Sequence, residues 1–346
     1  MPKIRAFSEF NNIFIKNFKM KQILGIGNAL VDVMTQIDDD HILEKFMLPK
    51  GSMTLVNLEK SQEVKNGTSG FQKILASGGS AANTIHGLAM LGAKAGYIGS
   101  IGHDETGIFF EEDMKKAGVN TILLKRHSIT GTAVALVSPD SERTFATHLG
   151  AAIELEAADL NPLQFRPYHI LYIEGYLIND KSFVDKACRL AKENKMEIAL
   201  DLASYNVVQA NINDFREIIS KYVDLIFANE EEAKSFTGLG PEEALEKLSE
   251  QCTVAIVKTG KEGSLVKRGN ELIKVGALPV DCKDTTGAGD LYASGFLYGY
   301  SSGLPLDKCG LIGSLLAGNV IENIGAKIPD KNWPAIRKGV ASIFKD

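Results

Sequence analysis

Residues 284–290, which read DTTGAGD, are the part of the sequence best suited to chemistry. An apolar, glycine-dotted run follows them, which predicts a loop that enters a buried helix. The backbone N–H groups of Gly287, Ala288 and Gly289 could then face a single anion without side chains in the way, and the helix dipole would favour that anion. The stretch therefore predicts an anion-binding turn at a helix N-terminus.

Asp290 directly follows that turn. A carboxylate beside a bound anion is unfavourable unless it has a chemical task, and the natural task is to receive a proton from an attacking hydroxyl. Because an unperturbed Asp has a pKa of about 3.9, it cannot deprotonate a hydroxyl beforehand. We expect it to orient the hydroxyl and to take the proton late. The alternative is that the turn only caps a helix and Asp290 is an ordinary first-turn carboxylate.

Other ligand-binding patterns are incomplete in this sequence. No Gly-Lys-Ser/Thr follows the turn, so it is not a Walker A loop, and residues 25–30 (GIGNAL) lack the third glycine of a dinucleotide fingerprint. The six histidines show neither HxH nor HExxH spacing. A metal cage built on histidine is therefore not expected.

Short apolar runs alternate with segments of helical spacing along most of the chain. The predicted strands are 23–27, 95–99, 169–173, 197–200, 225–228 and 253–257. The helices predicted between them include 81–91, 182–193 and 241–250. This alternation is typical of βαβ units, so we expect an α/β fold with a mostly parallel sheet.

Two regions, 34–58 and 119–147, show strand-like alternation where crossover helices would be expected. They predict a small accessory sheet. Ligands of open α/β folds bind at the carboxyl ends of the strands, so this sheet could cover the site as a lid.

The composition is that of a globular protein with a sizeable core, since 45% of the 346 residues are hydrophobic and 23% are charged. A net charge of −5 offers no basic field for a nucleic acid, and no apolar run approaches the roughly 18 residues of a membrane helix. The four cysteines lack CxxC spacing, which indicates reduced thiols in a cytoplasmic protein.

Residues 1–19 mix lysine and arginine with four phenylalanines and contain almost no acidic residue. They lack the continuous apolar core of a secretory signal. We interpret them as a disordered extension, with a single domain expected over 20–346.

Six stretches resemble, in order, the motifs of the ribokinase-like (PfkB) kinases, and residues 284–290 are similar to the second signature of that family. The others are GNALVD (27–32), GGSAAN (78–83), SERT (141–144), NEEE (229–232) and TGKEG (259–263). The resemblance covers nearly the whole chain from residue 20. It implies a three-layer α/β/α fold with a small β-sheet lid, and ATP-dependent phosphorylation of a primary hydroxyl on a sugar or nucleoside.

The resemblance also implies a role for each matching residue. Asp290 would be the base, and Arg143 and the turn 287–289 would neutralise charge on the transferred phosphoryl group. The acceptor would be bound by Asn28, Asp32, Gly78, Gly79, Asn83 and Tyr176. ATP would be bound by Asn229, Thr259, Gly260, Gly263 and Thr286, with Asn229 and Glu232 positioning Mg²⁺ through water.

Ordinary structural roles stay open for several of these residues. Asn83 could cap a helix, Glu232 could be a solvated residue at a helix start, and Arg143 could pair with Glu142 in a hairpin. Asp32 could be a solvated strand-end carboxylate, although a carboxylate is well suited to accept bonds from two neighbouring hydroxyls.

The stretch 26–82 resembles adenosine kinases in particular. This implies a purine nucleoside acceptor, adenosine above all, and a role in purine salvage. Residues 172–177 (YIEGYL) are similar to a stretch that forms a wall for the acceptor base, yet Glu174 and Leu177 stand where small and aromatic residues are expected.

A ribokinase- or fructokinase-like sugar kinase is the alternative within the family. A catalytically silent sugar- or nucleotide-sensing protein is disfavoured because Asp290 and its turn are intact. We expect a monomer or homodimer with a small-molecule substrate.

Overall fold

The computed structural model describes residues 20–140 and 142–345. The predicted N-terminal extension, residues 1–19, lies outside the described part of the chain.

The described residues form two sheets and the helices that cover them. The strands are β1 (Ile23–Ile26), β2 (Leu30–Gln36), β3 (Met53–Leu55), β4 (Lys73–Gly78), β5 (Ala95–Gly102), β6 (Asn120–Arg126), β7 (Gly131–Val137), β8 (Arg143–His148), β9 (Ile170–Glu174), β10 (Glu197–Asp201), β11 (Leu225–Asn229), β12 (Val254–Lys258), β13 (Ser264–Arg268) and β14 (Glu271–Val275). The α-helices are α1 (His41–Lys45), α2 (Leu58–Gly67), α3 (Ser80–Met90), α4 (Glu105–Lys116), α5 (Pro162–Phe165), α6 (Lys181–Glu193), α7 (Tyr205–Ala210), α8 (Ile212–Tyr222), α9 (Glu230–Thr237), α10 (Pro241–Ser249), α11 (Ala288–Ser301), α12 (Leu306–Ile321) and α13 (Trp333–Lys345).

The large sheet has nine strands in the order β14-β13-β12-β11-β10-β9-β1-β5-β6. Its pairs are parallel from β12 to β6, whereas β13 and β14 add an antiparallel edge. The six strands predicted from the sequence all lie next to one another in this sheet. The predicted helices correspond to α3, α6 and α10, so the α/β prediction is confirmed.

Helices cover both faces of the large sheet, and its central strands are therefore buried on both sides. Neighbouring residues of a strand point to opposite faces. Leu24 thus belongs to a core cluster with Phe183 of α6 and Phe215 of α8, whereas Ile23 belongs to the cluster on the other face, with Ile85 of α3 and Phe296 of α11. The result is a three-layer α/β/α body.

A second sheet has five strands in the order β3-β8-β7-β2-β4. One face packs on a small core that includes Phe46 and Val64, and the other face is directed towards a cleft. The predicted boundaries differ from those observed. Strand β6, within the predicted region 119–147, pairs with β5 in the large sheet, and β4 joins the small sheet from outside both predicted regions. Alternation identifies a strand, but the pairing partner is set by the tertiary structure.

In the described part of the chain, none of the helices combines the length and apolarity needed to cross a bilayer.

Candidate active site

A cleft of about 1160 Å³ lies between the carboxyl ends of the large sheet and the small sheet. This is where open α/β folds bind ligands. The cleft is lined by most of the residues singled out from the sequence: Asn28, Asp32, Gly79, Asn83, Tyr176, Asn229, Glu232, Gly260, Thr286, Gly287, Ala288, Gly289 and Asp290. The fold therefore gathers residues from along the chain in one place.

The predicted anion turn directly precedes helix α11. Gly287 adopts φ 75°, a left-handed conformation, and an added Cβ there would lie 2.7 Å from Cβ of Ala326. Both facts require glycine. The N–H of Ala288 donates to the carbonyl of Thr285 at 3.2 Å, so it is already engaged. Gly287 and Gly289 are therefore better placed than Ala288 to supply donors to an anion.

Asp290, in the first turn of α11, is linked to helix α3. Its carboxylate accepts hydrogen bonds from Ser80 Oγ at 2.7 Å and from Asn83 Nδ2 at 2.9 Å. Burial raises the pKa of Asp290, and the bonds from Asn83 and Ser80 partly oppose that shift. The carboxylate is thus held in one orientation and made a better proton acceptor than an exposed Asp.

Asn83 uses only part of its hydrogen-bonding capacity. Its amide donates to Asp290, but its buried Oδ1 has no hydrogen-bond partner within the described residues. A buried acceptor left unpaired costs free energy and is usually satisfied by a ligand or water. The helix-cap alternative does not account for this placement, since Asn83 lies inside α3 and Gly79 is the residue before the helix.

Asp32 and the two glycines at the end of β4 form a close packing arrangement. A Cβ on Gly78 would lie 2.4 Å from Oδ1 of Asp32, and one on Gly79 would lie 2.1 Å from the carbonyl oxygen of Asn28. Gly78 does not itself line the cleft; its missing side chain makes room for the Asp32 carboxylate. Burial raises the pKa of Asp32 to about 7, against the opposing charge of Lys327.

Glu174 has a structural task that its sequence position did not suggest. It is 1% exposed and accepts hydrogen bonds from the backbone N–H and side-chain Nδ2 of Asn28, at 2.9 and 2.7 Å, and from the N–H of Ala81 at 2.9 Å. Burial raises the pKa of Glu174 to about 7 despite these bonds. The carboxylate fixes Asn28 and the start of α3, so its oxygens are committed to protein donors.

Arg143, the first residue of β8, contacts the turn. Its guanidinium forms an ion pair with Asp284 and a hydrogen bond to Thr286 Oγ1. Asp284, whose side chain is 1% exposed, also accepts the N–H groups of Thr286 and Gly325, each at 2.5 Å. The alternative of a surface pair with Glu142 does not account for this placement, because Arg143 joins the small sheet to the turn.

Asn229 and Glu232 form a reciprocal cap at the start of α9. Glu232 accepts from the N–H and from Nδ2 of Asn229, each at 2.7 Å, while Asn229 Oδ1 accepts the Glu232 N–H. Glu232 is 2% exposed, and burial raises its pKa to about 7 against the charge of Lys258. Within the described residues no cluster of three or more possible ligands could hold a metal directly. Contact through water fits this pair, because Mg²⁺ retains several waters.

The turn after β12 only partly enters the cleft. Gly260 lines it, whereas Thr259 and Gly263 do not. Gly263 has φ 98°, and a Cβ there would lie 1.9 Å from the carbonyl oxygen of Val275. Glycine is therefore required at 263 by close backbone packing.

Two further parts of the cleft wall carry large apolar side chains. Tyr176 and Leu177 lie on one side, and Met53, Leu55 and Phe145 project from the small sheet on the other. Met53 and Leu55 are 52% and 61% exposed. A flat apolar group could fit between these surfaces.

Comparison with known proteins identifies the family. The model of the pfkB family carbohydrate kinases matches residues 54–333. The chain belongs to this family. It is therefore a kinase that uses ATP to phosphorylate a hydroxyl group.

Solved structures of both nucleoside and sugar kinases resemble this pfkB family member. Adenosine kinase from Sinorhizobium meliloti is 36% identical, with a TM-score of 0.84 and coverage of 93% of this chain and 100% of that chain. A probable sugar kinase from Rhizobium etli CFN 42 is 33% identical, with the same TM-score and the same coverage. The curated adenosine kinase of Dictyostelium discoideum is 29% identical over 336 residues, which cover 89% of this chain and 96% of the relative.

Four cleft or turn residues of this kinase escaped sequence reasoning: Ser80, Asp201, Lys258 and Asp284. Ser80 and Asp284 lie inside the recognised motifs, so position alone could have indicated them. Asp201 and Lys258 each end a strand of the parallel sheet, and carboxyl strand ends meet at one edge. Polar residues at strand ends were the available signal.

Proposed function

We propose that this kinase transfers the γ-phosphoryl group of ATP to the 5′-hydroxyl of a purine nucleoside, with adenosine as its preferred acceptor. The observation that carries the proposal is the placement of Asn83. Its Nδ2 donates to Asp290 while its buried Oδ1 is unpaired, and both residues line a cleft with apolar walls. A hydroxyl-bearing ring held at Asn83 would then lie beside Asp290.

The ribose would be bound by its vicinal hydroxyls. Asp32 and Asn83 Oδ1 supply acceptors, and the missing side chain of Gly79 lets the ring approach the backbone. The base would lie between Tyr176 and the small-sheet residues Leu55 and Phe145. Apolar contact with a flat base is a reason to favour a nucleoside over a bare sugar.

Asp290 would accept the proton of the reacting hydroxyl. As the acceptor oxygen bonds to the γ-phosphorus, the bond from phosphorus to the β–γ bridging oxygen breaks, and its electron pair leaves with ADP. The proton passes to a carboxylate oxygen of Asp290, late in the reaction. Donors at Gly287 and Gly289 would stabilise charge on the transferred group.

Asn229 and Glu232 would hold the water shell of a Mg²⁺ ion. When bound, that ion would neutralise charge on the ATP phosphates. Thr286 and Gly260 would contact ATP, while Thr259 and Gly263 would hold the turn that carries Gly260. In this role the enzyme would contribute to purine salvage in the cytoplasm.

The test is kcat/KM for adenosine, 2′-deoxyadenosine, inosine, guanosine, ribose and fructose under identical Mg–ATP. Adenosine should be the best acceptor. Its 2′-deoxy analogue should be worse by about 100-fold or more, because it leaves buried polar groups unpaired. A preference for ribose or fructose would overturn the nucleoside assignment. It would support a sugar kinase, which is how the structural neighbour from Rhizobium etli CFN 42 is described.

A further inference from the structure

The charges around the cleft are strongly unbalanced. Eight acidic side chains line it, and Lys258 is the only lysine, arginine or histidine among the described residues that do so. Phosphoryl transfer requires positive charge near the transferred group. Arg143, the cation that the sequence suggested for this role, is paired with the buried Asp284 and does not line the cleft.

Lys258 lies directly against the anion turn. It is the last residue of β12, and its Nζ would be 3.1 Å from a Cβ placed on Gly289. The ammonium group therefore occupies the space that a side chain at position 289 would need. An anion bound by the backbone donors of the turn would therefore lie beside this ammonium group.

The side-chain ammonium of Lys258 is held in place and still has hydrogen-bond donors to offer a ligand. Asp201, at the end of β10, accepts one hydrogen bond from Nζ at 3.0 Å, and the side chains of Lys258 and Asp201 are 13% and 6% exposed. An ammonium has three donors, so two others can serve a ligand. Burial alone would lower the pKa of Lys258, but Asp201 and Glu232 outweigh it and keep the group charged.

We propose that Lys258 is a catalytic residue that donates hydrogen bonds to the oxygens of the phosphoryl group during its transfer. Asp201 is the positioning residue that holds it. The inference rests on the kinase reaction of the family and not on the identity of the acceptor.

Lys258→Met should lower kcat by about 100- to 1000-fold, the usual loss when one donor to a reacting oxyanion is removed. The affinity for ADP alone should change less than about threefold, because the missing contact forms in the transition state. Binding of ADP with aluminium fluoride and acceptor, a mimic of the transferred group, should weaken by about 100-fold. Isothermal titration measures both affinities.

The double variant Lys258→Met/Asp201→Asn separates catalysis from structure. Asp201→Asn removes the carboxylate that Lys258→Met leaves buried without its cationic partner. Melting temperature should therefore recover, whereas kcat should stay low. If Lys258 were only a counter-ion for Asp201, kcat would recover as well, and the proposal would fail. A loss of kcat below tenfold in Lys258→Met would also overturn it.

A matched control is the exposed pair formed by Lys274 of β14, in the same sheet, and Glu242 of α10; the two are 3.1 Å apart and both side chains are 64% exposed. Lys274→Met/Glu242→Gln should leave kcat unchanged. The acceptor in all assays is whichever compound the wild type phosphorylates fastest. A preference of the wild type for a sugar would thus refute the nucleoside proposal and leave the test of Lys258 intact.

Discussion

Asp290 combines a fixed orientation with a raised pKa. Ser80 and Asn83 hold its two oxygens, and burial disfavours its charged form. Hydrogen bonds to the carboxylate alone would stabilise the charge and weaken the base, so burial must prevail if the residue is to accept a proton. The net upward shift shows that it does.

Asp290→Asn should keep the fold and the affinity for ATP but lower kcat by about 100- to 10,000-fold, the range typical of a lost general base. Steady-state kinetics and ATP titration would measure the two effects. Asp307→Asn, at an exposed acid in the first turn of α12, is the matched control and should be silent. Near-normal kcat in Asp290→Asn would remove the residue from the proposed mechanism.

At the level of elements, a buried ion pair ties the small sheet to the anion turn that precedes α11. Arg143 begins β8, while Asp284 precedes the anion turn and also accepts the N–H of Gly325 in the loop after α12. Three segments thus meet at one carboxylate. Removing one partner of such a pair leaves an uncompensated buried charge.

Arg143→Ala and Asp284→Asn should each destabilise the protein by about 3 kcal/mol, and the double variant should cost less than their sum. Denaturant unfolding would give a coupling free energy of roughly 1–3 kcal/mol. The exposed pair Arg268–Glu271, 2.9 Å apart, is the control, and its coupling should be about 0.5 kcal/mol or less. Additive losses at 143 and 284 would mean that the pair does not join these elements.

Arg143→Ala also tests whether the Arg143 guanidinium contacts the transferred phosphoryl group, as the sequence predicts. If the guanidinium reaches the transferred group, kcat should fall more than acceptor KM rises. A change confined to stability would make the residue purely structural.

The whole molecule carries buried acids in one region, and this determines how its stability depends on pH. The pKa values of Asp32, Glu174 and Glu232 are each raised to about 7, mainly by burial. A group whose folded pKa is raised contributes stability below its unfolded pKa and loses that contribution as pH rises through the folded pKa. Without ligand, the protein should therefore become less stable as pH rises towards 8.

Melting temperature of the ligand-free protein should rise by a few degrees when pH is lowered from 8 to 6.5, as measured by scanning calorimetry. Glu174→Gln should lower melting temperature overall, since its NH₂ would face N–H donors of Asn28 or Ala81, and should flatten the pH dependence. The exposed Glu112→Gln on α4 is the control and should keep the slope. An opposite slope in the wild type would show that these acids are ionised at lower pH than their burial implies.

Local patterns in the sequence were sufficient for most of the fold. Six neighbouring strands of the large sheet, the helices beside them and the turn at 287–289 follow from periodicity, glycine and the residues at element ends, all of which act over short distances. Motif order also indicated the family, which the match over residues 54–333 confirmed. The roles of the individual site residues remain predictions.

Only the tertiary structure decided which side chains meet. Lys258 and Asp201 end β12 and β10, which are separated by β11 in space and by 57 positions in sequence. Glu174 meets Asn28 across 146 positions. The placement of β6 in the large sheet could not be predicted from the sequence either, because alternation specifies a strand but not its neighbour. Such contacts depend on strand order and burial, which arise when the whole chain packs, so no local pattern records them.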